Sequence, residues 1–569
     1  MIIENALLNF KYSKCKDCYK CLRECPVKAI KVKDSQAKII AERCILCGKC
    51  TTVCPQNAKQ VHSEVPKVLK LLREYDNVIA IIDSSYISSF NLSNFAIMED
   101  VLSKLGFKQS YDCSEGSAIY SQKLNEIIQS GTYKNIITST CPSINKTIEL
   151  YYHDAFKYLV PLASPMVIQA KLLKEKDENA KIVYIGPCIS KKLEAVESKV
   201  ISAVITFEQL LLLMVEKDVD FNHKIKDDTV YHSNIIKAKL FPIARGIMKS
   251  VDVLNPKYEY MVIDGLKKSI EVLENIESCE NIYLEMTACE FSCINGPCSL
   301  IGNLEAISAN ARLRKYVKSL KSTNTNLLLP EVDYTVKRTI KNLNEKMPSE
   351  EEIEEILKRV GKHKFSDELN CGACGYNTCR DKAFAVFNGY ASSDMCVPYM
   401  KEKAESMSFE IIQKSPNGIL LLDSDFKIIE CNQKFIEFFS LQDSFLKGEN
   451  ANNFLDVSKY KEVLSANESF KIYRDFIPNT NKHLEITICT MPKEKMVFGL
   501  YNDITSSVLA ENELNSLRLK TINTTDEVIK KQMFVAQEIA SLLGETTAQS
   551  KIALIKLKRA LLENDYKEE

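Results

Sequence analysis

TACEFSCINGPC, residues 287–298, holds three cysteines, and two of them, Cys289 and Cys293, stand four residues apart. Upstream, Cys141-Pro142 and Pro187-Cys188 are two more isolated cysteines beside prolines. The apolar runs NIITST (135–140), KIVYIGP (181–187) and NIYLEMT (281–287) read as strands, so Cys141, Cys188 and Cys289 each lie just past a strand end. NVIAIID (77–83) and SAVIT (202–206) read as further strands. VPKVLKLLREY (65–75), FAIMEDVLSKLGF (95–107) and TFEQLLLLMVEK (206–217) carry the apolar spacing of helices. This alternation predicts an α/β domain over residues 66–320 with a mostly parallel sheet, in which sites gather at strand C-termini. Isolated cysteines are ordinarily core residues. Three at strand ends, joined by Cys293, predict a four-thiolate site.

The 569 residues are too many for one core and predict several domains. Lys and Arg total 75 and Asp and Glu total 75, which gives no electrostatic reason to expect nucleic acid or an anionic membrane as a partner. No apolar run approaches the ~20 residues that span a bilayer. MIIENALLNFKYSK lacks the basic stretch and long apolar stretch of a secretory signal, so a cytoplasmic location is expected. In a reducing compartment, 21 cysteines point to metal rather than disulfides.

Cys15, Cys18, Cys21 and Cys25-Pro26 follow C-x2-C-x2-C-x3-C-P, and Cys44, Cys47, Cys50 and Cys54-Pro55 repeat it. This is the bacterial two-cluster ferredoxin spacing, in which the fourth cysteine of each run ligates the other cluster. It predicts one [4Fe–4S] cluster on Cys15, Cys18, Cys21 and Cys54 and a second on Cys44, Cys47, Cys50 and Cys25, within a domain spanning 1–62. Zinc is the alternative, but it favours paired C-x2-C units.

TSTCP (138–142), GPCISKK (186–192) and EMTACEFSCINGP (285–297) resemble the three signatures of the [FeFe]-hydrogenase catalytic domain, a resemblance that covers residues 77–310. It implies that Cys141, Cys188, Cys289 and Cys293 hold the [4Fe–4S] part of an H-cluster. Cys293 would also bridge to a diiron unit carrying CO, cyanide and an azadithiolate, and Lys191 would donate hydrogen bonds to a cyanide. Against that family's efficient members, Thr140 replaces a cysteine, and Gly186 and Thr287 replace methionines. A threonine hydroxyl does not hold a proton in transit at neutral pH, and the lost methionines retune the surroundings of the metal. The family's proton-passing helix would align near CSEGSAIYSQK (113–123), which offers no clear counterpart of its glutamates. Cys298 and Glu290 are the favoured proton-transfer candidates, with Glu285 and Glu115 behind them. For each, the bland alternative is a solvated acid or a packed thiol.

Past a polar break at TNTNLLLPEVDYT with Pro330, Ser349 is expected to cap a helix over PSEEEIEEILKRVGK (348–362) that Gly361 stops. CGACGYNTC (371–379) with Cys396 resembles a small four-cysteine iron–sulfur domain (348–400), with a [4Fe–4S] cluster on Cys371, Cys374, Cys379 and Cys396 and a zinc ribbon as alternative. Lying C-terminal to the catalytic domain, it is expected to stand out of line with the ferredoxin input. KSPNGILLLDSDFKIIECNQKFIEFFSL (414–441), SFKIYRDFI, HLEITICTMP and MVFGLYNDIT resemble a PAS domain (408–506) without a heme or flavin signature. A helical tail follows (507–569), with a seam of Ile529, Met533, Ala536, Ala540 and Leu543 that Gly544 interrupts.

The expected fold is multidomain α/β: ferredoxin domain, hydrogenase domain, small Fe–S domain, PAS domain and C-terminal helices. The expected function is reversible reaction with H2 (2 H+ + 2 e− ⇌ H2) and electron relay through [4Fe–4S] clusters, as a low-turnover H2 or redox sensor signalling through the PAS domain and helical tail. An ordinary ferredoxin-linked hydrogenase and an Fe–S scaffold lacking the diiron unit are the alternatives. The expected partners are H2 and protons, a redox partner such as ferredoxin, hydrogenase maturation proteins and a second copy joined through the PAS domain and helical tail.

Overall fold

The computed structural model describes residues 7–10, 14–33, 36–227, 229–251, 254–302, 305–323, 332–441, 446–466, 469–491, 496–543 and 547–562. Pro330 and Gly544 lie outside them, as do the side chains of Ala540 and Leu543. The chain divides into two compact units, Met1–Met400 and Lys401–Glu569.

The first unit opens with two copies of one local design. β1 (Leu8–Phe10) leads into the first cysteine run, β2 (Ile30–Lys33) and β3 (Gln36–Ile39) form an antiparallel hairpin, and β4 (Lys59–Val61) returns to pair antiparallel with β1. The repeat extends to the backbone. Asp17 and Leu46 both take positive φ, as do Lys28 and Asn57, so each run coils tightly around its thiols. At matching places the N–H of Ala29 donates to Cys25 Sγ (3.3 Å) and that of Ala58 to Cys54 Sγ (3.4 Å).

The α/β region contains β5 (Val78–Ile82), β6 (Gln109–Asp112), β7 (Ile136–Ile137), β8 (Lys181–Gly186), β9 (Ala203–Thr206), β10 (Val230–His232), β11 (Glu259–Asp264), β12 (Ile282–Thr287) and β13 (Lys321–Thr323). They form two principal parallel sheets, of order β6-β5-β8-β9 and β11-β12-β7, where one sheet was expected. All five strands read from the sequence are present. β6 and β11 escaped that reading because they are sheet edges with partly exposed, polar-interrupted sequences, QSYD and EYMVID. The expected helices form at Val65–Glu74, Phe95–Leu105 and Phe207–Glu216. Asn94 caps the second, and Thr206 with Gln209 makes a capping box on the third.

The described residues that end the polar break are held against the α/β region. Residues 332–341 run as a strap along the α/β region: Ala163 N donates to Tyr334 O (2.8 Å), Val336 N to Pro161 O (2.9 Å) and Arg338 Nη2 to Leu162 O (2.9 Å). Ser349 and Glu352 then form the expected capping box on helix Glu350–Lys358, and helix Cys379–Phe387 separates the two halves of the last cysteine set.

In the second unit, β14 (Gly418–Leu422), β15 (Ile428–Cys431), β16 (Phe470–Ile477), β17 (Lys482–Met491) and β18 (Met496–Asp503) form an antiparallel sheet of order β15-β14-β18-β17-β16. Leu420, Leu422, Phe435, Phe438, Leu484, Ile488 and Val497 fill its core. Helices Thr505–Leu543 and Thr547–Leu562 follow, joined by a Lys558–Asp526 ion pair at 2.7 Å. Ile529, Met533 and Ala536 are half-buried while Phe534, Val535 and Ile539 are exposed, which is the pattern of a helical hairpin. No helix among the described residues is long and apolar enough to cross a membrane.

Candidate metal centre

Cys141, Cys188, Cys289 and Cys293 line one cavity at the C-terminal ends of the parallel strands. Cys141 follows β7 and precedes helix Pro142–Tyr151, whose first-turn proline suits a position that needs no N–H donor. Cys188 follows β8, and its Sγ lies 3.0 Å from Ser190 Oγ. After β12, Phe291 and Ser292 take left-handed conformations, the bend that brings Cys289 and Cys293 to one cavity. Thr140, Thr287, Lys191, Asp83, Ala288, Gly296 and Pro297 complete the wall, and so does Cys47 of the second ferredoxin run. Two glycines close that junction. A Cβ on Gly296 would lie 2.6 Å from Pro187 O, and one on Gly48 would lie 2.5 Å from Pro297 Cβ.

The donor set fits a cationic cluster. Burial first, then the neighbouring thiols, pushes the Cys289 thiol well above its ordinary range. Cys293 is raised in the same way, with Asp83 adding to burial, and burial also raises Cys141. Held as thiolates in so dry a place, the four would need a cation among them. Among the described residues, no three His, Cys, Asp or Glu side chains converge closely enough to hold a single metal ion.

Lys191 is buried, and its Nζ donates to Glu194 Oε2 (2.7 Å), Ser164 Oγ (2.9 Å) and Thr140 O (3.5 Å). Burial alone would lower its pKa, but the Glu194 carboxylate, aided by Cys188 and Cys113, more than offsets this and holds the ammonium above its ordinary value. Its neighbour Lys192 is buried too, paired with Glu64 at 3.2 Å and donating to Val204 O.

Of the other residues named from the sequence, Thr140 and Thr287 line the cavity, but the proton-transfer candidates do not. Glu290 is turned to solvent, its side chain 65% exposed and 4.0 Å from Lys49 Nζ. Cys298 packs with Leu7, Leu8, Leu46 and Ile189, where burial pushes its thiol up to about 12. Glu285 is buried beneath the N–H groups at the start of helix Gly246–Ser250 and accepts from Met248 N (2.9 Å). Glu115 accepts from Gln169 Nε2. Gly186 lies behind the cavity wall, where a Cβ would meet the Tyr184 ring at 2.8 Å and Asp83 Cβ at 3.1 Å. Asp83 escaped the sequence reading. It ends NVIAIID, and a residue just past a strand end is the signal that finds it.

Cys15, Cys18, Cys21 and Cys54 line a second cavity, the crossed grouping expected from spacing. Cys371, Cys374, Cys379 and Cys396 line a third. That last set is not out of line with the ferredoxin run, contrary to its position in the sequence. Arg23 Nη1 donates to Ala373 O (3.4 Å), and Cys374 and Tyr376 pack in one cluster with Cys21, Leu22 and Cys25. Sequence separation concealed a contact that folding makes.

Comparison with known proteins assigns these regions. Residues 76–297 match the family described as iron only hydrogenase large subunit, C-terminal domain. Residues 14–58 match a 4Fe-4S dicluster domain, 367–398 an Fe-S cluster family and 409–473 a PAS domain. Among solved structures, the [FeFe]-hydrogenase HydA(deltaEFG) is 14% identical over 46% of this chain and 91% of its own, with a TM-score of 0.36. An apo [FeFe]-hydrogenase HydA1 from Chlamydomonas reinhardtii gives the same 14% identity, 46% and 91% coverage and TM-score of 0.36. The PAS domain of an HTR-like protein from Haloarcula marismortui is 19% identical over 18% of this chain and 99% of its own, with a TM-score of 0.16. No curated protein matches the chain. The chain therefore carries, in this order, regions similar to a 4Fe-4S dicluster domain, to the C-terminal domain of iron only hydrogenase large subunits, to an Fe-S cluster family and to a PAS domain.

Proposed function

We propose that the chain holds an H-cluster on Cys141, Cys188, Cys289 and Cys293, interconverts H2 with protons and electrons, and serves as an H2 or redox sensor. The observation that carries this is the gathering of those four thiols, Lys191 and Cys47 around one buried cavity. When bound, the group supplies the metal at which H2 is made or split. The chain's own part is to exclude water, to fix the Lys191 ammonium by three acceptors so that it can steady an anionic ligand, and to bring Cys47 of the dicluster domain to the wall as the electron contact. [4Fe–4S] clusters on Cys15, Cys18, Cys21 and Cys54, on Cys44, Cys47, Cys50 and Cys25, and on Cys371, Cys374, Cys379 and Cys396 form the rest of the relay.

Two features support sensing. Thr140 supplies no acid at the cavity, and helix Val397–Lys414 starts directly after Cys396 and leads to the first PAS strand at Gly418. A redox change at the last cysteine set thus acts at the root of that helix. The proposal extends to insertion of the diiron unit by maturation proteins, exchange with a ferredoxin-type partner, and pairing of two copies through the tail. Cys47 at the cavity wall would equally serve an ordinary hydrogenase. Infrared spectra of the matured chain under H2 and argon, with turnover measured alongside, test both. Bands of metal-bound CO and cyanide with slow turnover support sensing. Turnover of ~10–10³ per second supports bulk catalysis. Absence of the bands leaves an Fe–S scaffold.

A further inference from the structure

Helix Ser190–Ser198 connects two cavities. At one end Lys191 faces the thiols; Glu194 and Glu197, at three-residue intervals, line a second cavity. Pro142 belongs to both walls, so the two volumes are separated by about one side chain's thickness. Two short contacts cross that partition, Lys191 Nζ to Glu194 Oε2 at 2.7 Å and Cys188 Sγ to Ser190 Oγ at 3.0 Å, and the first joins a base to an acid. The Glu194 side chain is 14% exposed, a carboxylate largely withdrawn from solvent but opening on a polar space. The outer cavity is lined by charge from three elements: Lys146 and Glu149 on helix Pro142–Tyr151, Glu197 on the same helix as Glu194, and Lys337, Arg338 and Lys341 on the strap. Lys341 lies 3.4 Å from Glu149 and 3.6 Å from Glu197. Besides thiols, the described wall of the inner cavity carries two ionisable side chains, Lys191 and Asp83. Asp83 accepts from Ser85 and from the Tyr184 hydroxyl, within the core.

We propose that Glu194 is a relay residue that passes protons between water in the outer cavity and the Lys191 ammonium facing the thiols. The inference rests on the H2 chemistry proposed above. Inward, the proton on Glu194 Oε2 moves to Lys191 Nζ as Nζ releases one of its own into the inner cavity. Lys191 ends as the ammonium, and Glu194 ends as the carboxylate, to be protonated again from the outer cavity. Outward, the same bonds form and break in reverse, and no electron is moved. Glu194 acts through Lys191 and touches no reacting atom.

The test uses the full matured chain and Glu194→Gln, which keeps an acceptor for Nζ but takes up no proton. Wild type should show a carboxylic C=O band in H2-minus-argon infrared difference spectra that shifts in D2O. In Glu194→Gln that band should vanish while the CO and cyanide bands remain, and exchange of H2 with D2O should slow about a hundredfold. Its pH profile, which belongs to the charged set as a whole, should flatten. Glu194→Asp should keep the band and restore the profile, and it carries the test should the amide variant fail to fold. A band that persists in Glu194→Gln, or one that disappears instead in Asp83→Asn, overturns the relay. Wild type without CO and cyanide bands overturns the H-cluster reading itself, a result told apart by the missing bands.

Discussion

Gly375 stands so close to Leu22 that a Cβ added to it would lie 2.8 Å from Leu22 Cγ. Leu22 follows Cys21 on the one-turn helix Lys20–Arg23, and Gly375 follows Cys374, so the contact joins two cysteine sets about as directly as backbone allows. Arg43 ties the same corner. It pairs with Glu345 and lies 4.7 Å over the Tyr390 ring and 5.6 Å over that of Tyr151, while Tyr151 Oη donates to Arg43 O (2.6 Å). Cation–π contacts and buried pairing favour the guanidinium there over a lysine.

Replacing Gly375 by Leu should open this corner. The glycine's φ of +91° adds strain to the overlap. Overpacking of this kind costs about 1–3 kcal/mol, so unfolding should shift to lower denaturant. In dithionite-reduced protein, magnetic interaction between neighbouring clusters should weaken in the electron paramagnetic resonance spectrum, with iron content unchanged. A spectrum identical to wild type would show that the two sets do not communicate through this contact.

Gly186→Met puts back the residue found at this place in efficient members of the resembled family. The side chain has nowhere to go, because the Tyr184 ring and Asp83 already fill the space beside Gly186. Wild type holds this packing with a hydrogen bond from Tyr184 Oη to Asp83 Oδ2 at 2.9 Å. The variant should therefore lose stability, by about 1–3 kcal/mol, and should not gain turnover. Higher H2 oxidation with an unchanged melting temperature would refute that account.

Glu285 titrates near neutrality. Burial raises its carboxyl from 4.5 to about 7, against the lowering effect of backbone N–H groups from Arg245 to Met248. Between those two values the folded chain holds a proton that the unfolded chain has released. Stability therefore falls as pH rises from about 4.5 to 7 and is flat above, a loss on the order of 3 kcal/mol. Glu285→Gln should remove this slope, seen in denaturant midpoints measured across that range. A slope of unchanged size would mean that the carboxyl stays ionised throughout.

The ligand sets were legible because cluster chemistry constrains spacing: Cys15, Cys18 and Cys21 with Cys54 could be grouped from sequence and share one cavity. Long strands and capped helices were legible too, Thr206 with Gln209 being one case. What escaped depends on the third dimension. Glu290 neighbours Cys289 in sequence, yet the turn through Phe291 and Ser292 faces it outward. Glu194 is six residues from Cys188, and only the pitch of helix Ser190–Ser198 brings it against Lys191. Lys192 was given no role from the sequence, because its acceptor, Glu64, lies 128 residues away.

Gly48 should govern the handover between the dicluster domain and the thiol cavity. It follows Cys47, takes φ +74°, and leaves no room for a Cβ, which would meet Pro297 Cβ at 2.5 Å and Ile189 Cδ1 at 2.8 Å. Pro297 belongs to the cavity wall, so a side chain here pushes the Cys47 loop away from it. The left-handed backbone adds about 1–2 kcal/mol for any residue with a Cβ. Gly48→Ala should still take up iron at the dicluster domain, since the thiols and the N–H donors of Ala29 and Ala58 are untouched. Electrons from a reduced dye should then reach the matured centre several-fold more slowly, followed by stopped-flow infrared, while the reduction of the dicluster clusters keeps its wild-type rate. Equal rates at both would mean that electrons enter the thiol cavity by a route other than Cys47.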